Sequence, residues 1–146
     1  MIARTYDATA VQALLAHRYP FLLVDRIDVI TPGRHVVGSK RVSAGEWWSA
    51  GNDAAVFPFC LVIEALAQAS GALAVDLVDG AERAVAYIMA ADRVRFRRPA
   101  HAGDELRLEV TLRQWRRGVC RMRGVATVGG AVVATAELTT IVRGVA

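Results

Sequence analysis

Apolar and polar positions follow two different rhythms along this chain. Near the start, DATAVQALLAHR sets Val11, Leu14 and Leu15 at helical spacing behind Asp7 or Thr9 as candidate N-caps. The spacing predicts a short helix that ends before Pro20, because the residue ahead of a proline disfavours helical angles. FLLVDRIDVI then reads as a strand closed by the turn TPGR, and HVVGSKRVS as its returning hairpin partner. AGEWWSAGNDAAV is a loop by its Gly, Asn, Asp and Ser content. Pro58 stands where the first turn of a second helix tolerates proline best, and that helix is predicted to run to about Val78, before the turn DGAE. From Tyr87 onward the period changes to two. AYIMAADRVRFRRP, ELRLEVTLRQWRR, VCRMRGVATV and AVVATAELTTIV read as strands with one wet face, separated by the turns AHAGD and GG.

The second helix, FPFCLVIEALAQASGALAV, is apolar nearly all the way round. Such a helix either spans a membrane or is wrapped by other structure. Glu64, Gln68, Ser70 and Asp76 are costly in lipid, while the amphipathic strands on either side supply a sheet able to wrap it. The expectation is an α+β fold in which a long central helix is gripped by a curved antiparallel sheet, with no membrane role. At 146 residues and 54% hydrophobic content, the expectation is one domain spanning 1–146.

The net charge of +4 invites a nucleic-acid reading. The cations, however, are mostly arginines in DRVRFRRP and RQWRRGVCRMR, alternating with apolar residues as on a solvated sheet face. That spacing argues against nucleic acid and suits an acidic protein partner. Cys60 and Cys120 stand alone, without metal-ligand spacing, and read as free buried thiols. The opening residues lack a sustained apolar stretch ending in a cleavage site, so the expected location is cytoplasmic.

Glu64 is the residue that the core pattern does not explain. A carboxyl in apolar surroundings should hold its proton to higher pH, because desolvation disfavours the charged form. It is then a candidate proton donor near neutrality. Gln68 lies one turn further on, on the same helix face, where it can hydrogen-bond Glu64 or address a shared ligand. A buried polar pair that merely satisfies itself is the plainer reading of the same spacing.

LLAHRYPFLLVDRI, EALAQASG, DRVRFRRPAHAGDELRLEV and GVATVGGAVVATAEL together resemble the ordered motifs of bacterial 3-hydroxyacyl-acyl-carrier-protein dehydratases of the hot-dog fold, over about Leu14 to Val142. The resemblance implies a hot-dog fold that dimerises edge to edge with active sites at the subunit interface. It also implies removal of water from a 3-hydroxyacyl chain carried on the phosphopantetheine of an acyl carrier protein, with no metal or organic cofactor. In that family a histidine of one subunit faces the helix glutamate of the other across an acyl tunnel. Glu64 matches the glutamate, and Tyr87 lies where the family often has a tyrosine near the tunnel mouth. Trp47 and Trp48 occupy the position of an aromatic pair ahead of the histidine loop. Trp48 and Phe57 are therefore candidate substrate contacts, with Gln68, Tyr87 and Asn52.

The resemblance breaks at one place. Where the family has its catalytic histidine, this chain reads WWSAGNDAAVFPFC, which contains none. Ungapped counting from Glu64 puts Ala50 at that position, whereas matching the glycine puts Asn52 there. Of the three histidines, His17 belongs to the opening motif, which gives it a packing or hydrogen-bonding role; His35 falls on an exposed hairpin strand and His101 in a solvated turn. Three functions are compatible with this pattern. The chain is a dehydratase subunit acting in fatty-acid or polyketide/polyene synthesis, as a homodimer or as a heterodimer whose histidine-containing paralogue completes the site. Alternatively it is a hot-dog acyl thioesterase using Glu64, or a non-catalytic binding or scaffold subunit.

Overall fold

The computed structural model describes residues 4–51, 53, 55–75, 77 and 84–144. In chain order the elements are β1 (Arg4–Tyr6), α1 (Ala8–Leu14), β2 (Arg26–Thr31), β3 (His35–Arg41), a 3-10 turn at Trp47–Ser49, α2 (Phe59–Val75), β4 (Ala84–Phe96), β5 (Glu105–Arg116), β6 (Val119–Val128) and β7 (Ala131–Gly144). The strands form a seven-stranded antiparallel sheet in the order β1-β2-β3-β5-β6-β7-β4. The chain thus leaves the sheet after β3, runs α2 across one face, and returns at the far edge as β4. β5 then fills the place beside β3.

Period-two patterning decides which face α2 covers. Leu106, Leu108 and Val110 of β5 and Cys120, Met122 and Ala126 of β6 are buried, while Glu105, Arg107, Glu109, Arg121 and Arg123 point the other way. α2 packs on the inner face against every strand from β3 to β7. Its alanines at 65, 67, 69, 72 and 74 are all buried and let the strands approach closely. A Cβ on Gly124 would stand 3.3 Å from the δ carbons of Leu66, so glycine at this point of β6 makes room for a fully buried leucine. The expected α+β arrangement, a helix held against an antiparallel sheet, is what the structure has. Among the described residues no helix is long and apolar enough to cross a membrane.

Local signals set the helix starts. Asp7 caps α1 by accepting the Ala10 N–H at 2.9 Å. The Pro58 carbonyl accepts the N–H groups of Leu61 and Val62, so the proline stands at the head of α2 and gives up no helical donor. Lys40, on β3 and almost wholly buried, donates to Glu46 Oε1 at 2.8 Å, and the same oxygen accepts the Ser43 N–H at 3.0 Å. This pair holds the loop between β3 and α2 against the sheet.

β1 was not predicted, and two predicted elements differ from expectation. The strand predicted from Phe21 begins only at Arg26, because the backbone of Phe21 and Leu23 is bonded to a side chain of α2. β4 does not alternate: Tyr87, Ile88 and Met89 are exposed in succession. It is a sheet edge with register shifts between Ile88 and Ala90 and between Asp92 and Arg95. Arg93, at the second shift, takes a left-handed φ of 49° and pairs with Glu137 at 2.8 Å. The end predicted for α2 at Val78 lies outside the described residues.

Candidate active site

α2 carries Glu64 and Gln68 one turn apart, and the short distance between them follows from helix geometry. Gln68 Nε2 donates to Glu64 Oε1 at 2.8 Å and to the Phe21 carbonyl at 2.6 Å, while Gln68 Oε1 accepts the Leu23 N–H at 2.8 Å. Gln68 is only 2% exposed. The Leu23 N–H needs an acceptor, so the amide can point only one way, with its donor half toward Glu64. The side chain therefore does two things: it pins the segment ahead of β2 to the helix, and it fixes one oxygen of the carboxyl.

The pinned segment delivers a further group. His17, between α1 and β2, brings Nε2 to 3.5 Å from Glu64 Oε1. Its backbone is braced by Arg18, whose Nη1 donates to the carbonyls of Leu15 and His17, both at 2.7 Å. Trp47 Nε1 donates to the Pro20 carbonyl at 3.0 Å and holds the same loop from the other side. His17, Glu64, Gln68 and Tyr87 line one cavity of about 200 Å³, whose remaining wall is largely the small and apolar side chains of α1, α2 and the first residues of β4. Acid, amide and imidazole thus meet in an otherwise largely apolar hollow whose wall also carries the Tyr87 phenol.

Glu64 keeps 38% of its side-chain surface exposed and His17 40%. The carboxyl is half-buried rather than fully dry as the apolar helix suggested. His17, assigned only a packing or hydrogen-bonding role from its motif, stands against the carboxyl. Its motif was the signal: AHRYPFLL carries both the imidazole and the backbone groups that Gln68 binds.

The other candidates fall elsewhere. Trp48 and Phe57 pack edge to face at 5.2 Å within the core and do not line the Glu64 cavity. Asn52 lies outside the described residues. His35 pairs across from Thr111 on the sheet, and His101 occupies the turn closed by Asp104. Cys60 is exposed, against expectation, because it falls on the open first turn of α2; Cys120 is buried on β6, where burial pushes its thiol up to about 11. Among the described residues no cluster of His, Cys, Asp or Glu can hold a metal ion.

On the outer face of the sheet, Arg93, Arg95, Arg97, Arg98, Arg121 and Arg123 line two broad open hollows. Arg93 is neutralised by Glu137, while among the described residues the other five make no ion pair. This is the solvated basic face that the alternation predicted.

Residues 15–137 match the FabA-like domain family. The chain belongs to that family. Its fold is the hot-dog fold. A 3-hydroxyacyl-[acyl-carrier-protein] dehydratase FabZ of Roseiflexus sp. (strain RS-1) is 42% identical to this FabA-like chain over 130 residues, covering 88% of it and 90% of the relative. The protein of the same name from Acidovorax sp. (strain JS42) is 40% identical over 144 residues, covering 96% and 99%. Among solved structures, the dehydratase heterocomplex ApeI:P from Xenorhabdus doucetiae aligns with a TM-score of 0.73 at 23% identity, covering 90% of this chain and 89% of that one. A hypothetical thioesterase protein with coenzyme A from Streptococcus pneumoniae TIGR4 aligns with a TM-score of 0.65 at 19% identity, covering 81% and 84%.

Proposed function

We propose that this chain is a dehydratase subunit of fatty-acid or polyketide/polyene synthesis. It removes water from a 3-hydroxyacyl chain carried on the phosphopantetheine of an acyl carrier protein, giving the trans-2-enoyl thioester. The observation that carries this reading is Glu64, fixed by Gln68 at the wall of a largely apolar cavity, in a chain 42% identical to a named dehydratase. The C3 hydroxyl leaves only if it is protonated, and the C2 proton is acidified by the thioester carbonyl, so the step needs one acid and one base. Glu64 is the acid. Its proton goes to the departing hydroxyl, the C2 proton goes to the base, and the freed electron pair becomes the C2–C3 double bond. Proton transfer suffices, and no metal or organic cofactor is called for.

The base comes from a second subunit. Residues 50–57 contain no histidine, so a homodimer supplies none from that loop, and a heterodimer with a histidine-containing paralogue does. β4 supports this assembly. It is a sheet edge with a free row of backbone groups and exposed Tyr87, Ile88 and Met89, and its residues 84–88 line the Glu64 cavity. A strand added there lies beside the carboxyl. The dehydratase heterocomplex ApeI:P contains a chain of the same fold. The arginine face supports an acidic carrier protein as partner rather than nucleic acid, in the cytoplasm.

Co-expression with such a paralogue, followed by mass analysis of a 3-hydroxyacyl carrier protein, tests the reading. Loss of one water that requires both chains supports it. Release of free carrier thiol by this chain alone favours the thioesterase reading instead. An unchanged substrate with the dimer intact favours a scaffold.

A further inference from the structure

Among the described residues, one oxygen of Glu64 has two polar neighbours and the other none. Oε1 accepts the Gln68 amide at 2.8 Å and has His17 Nε2 at 3.5 Å, while among the described residues nothing donates to Oε2. The second contact is slightly longer than an ordinary N–H···O bond, as acid–base contacts in empty sites often are before substrate tightens them.

The proton on the imidazole can be placed. Nδ1 of His17 is buried and, among the described residues, has no partner. A buried N–H without an acceptor is disfavoured more than a bare lone pair, so the neutral ring carries its proton on Nε2, the atom that faces the carboxyl. With Gln68 donating to Oε1 and His17 Nε2 beside the same oxygen, a proton carried by the carboxyl sits on Oε2. That is the oxygen left free to address the cavity.

We infer that His17 is a positioning residue: it donates from Nε2 to Glu64 Oε1 and so keeps the acid's proton on Oε2, aimed at the substrate hydroxyl. The inference rests on the dehydratase reading and deepens it by dividing the work of the two carboxyl oxygens. It does not compete with a base on the partner subunit. His17 prepares the proton that is given, and the base takes the proton that is removed. The mount is rigid enough for this task, since Arg18, Trp47 and Gln68 hold the His17 loop from three sides. Tyr87 is the other hydroxyl-bearing group in the cavity, while the Arg18 guanidinium is engaged by backbone carbonyls.

The test compares H17F, H17Q and E64Q in the assembled, active dimer, each checked for an unchanged melting transition. Phenylalanine keeps the ring's bulk and removes the donor, whereas glutamine returns an amide N–H close to the place of Nε2. The expected result for H17F is a kcat loss of roughly ten- to hundredfold with KM unchanged, and for H17Q recovery of most of that loss. Full kcat in H17F, equal loss in H17F and H17Q, or an effect confined to KM overturns the inference while leaving the dehydratase reading standing. Full activity in E64Q shows that Glu64 is not the acid, and removes the inference with it.

Discussion

Gln68 bonds Glu64 Oε1 with the same nitrogen that bonds the Phe21 carbonyl, so the acid and the loop ahead of β2 share one anchor. A change at Gln68 must therefore show in stability and in activity together. Gln68→Leu keeps the volume but leaves the Leu23 N–H and the Phe21 carbonyl unpaired. The expected cost is about 2 kcal/mol or more in denaturant unfolding. Gln68→Glu keeps an acceptor for Leu23 but sets a second carboxyl beside Glu64, and is expected to lose activity more than stability.

The Lys40–Glu46 pair, with its ammonium buried and its carboxylate partly exposed, predicts an asymmetry. Glu46→Leu leaves the buried ammonium with the Arg41 carbonyl but without its counter-charge, and is expected to cost about 3 kcal/mol. Lys40→Met combined with Glu46→Leu removes both charges and is expected to recover much of that loss. Equilibrium unfolding of the single and double variants measures it, and equal losses in both would refute the pair's role as described.

The two thiols should differ in reactivity. Cys60 is exposed, and Cys120 is held neutral by burial until about pH 11. A thiol reagent near neutral pH is expected to modify one cysteine in the folded protein and both after denaturation. The buried thiol should begin to react below that pH only if the fold opens.

The outer arginines predict a split between carrier and substrate. R121E with R123E is expected to raise KM several-fold for a substrate on an acidic carrier protein, with the effect shrinking as salt rises. The same variant should turn over a small pantetheine thioester at the unaltered rate, because these side chains lie on the sheet face opposite α2. Steady-state kinetics with the two substrates checks it.

Much of the fold was legible because period-two alternation and an all-round apolar helix leave few alternatives. β6 was read from Val119 to Val128 as found, and the start of α2 followed from Pro58. The late start of β2 was not legible, since it depends on Gln68, far along the chain, taking the backbone bonds that a strand would have used. Glu64, Gln68 and Tyr87, named from the sequence, line one cavity in the structure. His17 was assigned a packing or hydrogen-bonding role without a partner, because sequence distance hides the 3.5 Å contact with Glu64. Trp48 and Phe57 were placed with the substrate because aromatic residues beside a predicted tunnel pack equally well in a core.

The most direct test is the intact mass of a 3-hydroxyacyl carrier protein incubated with the co-expressed dimer, either unaltered or carrying E64Q in this chain alone. Loss of one water with the unaltered dimer and none with the variant is the predicted result. Equal dehydration by both would show that Glu64 is not the acid, and would contradict the account.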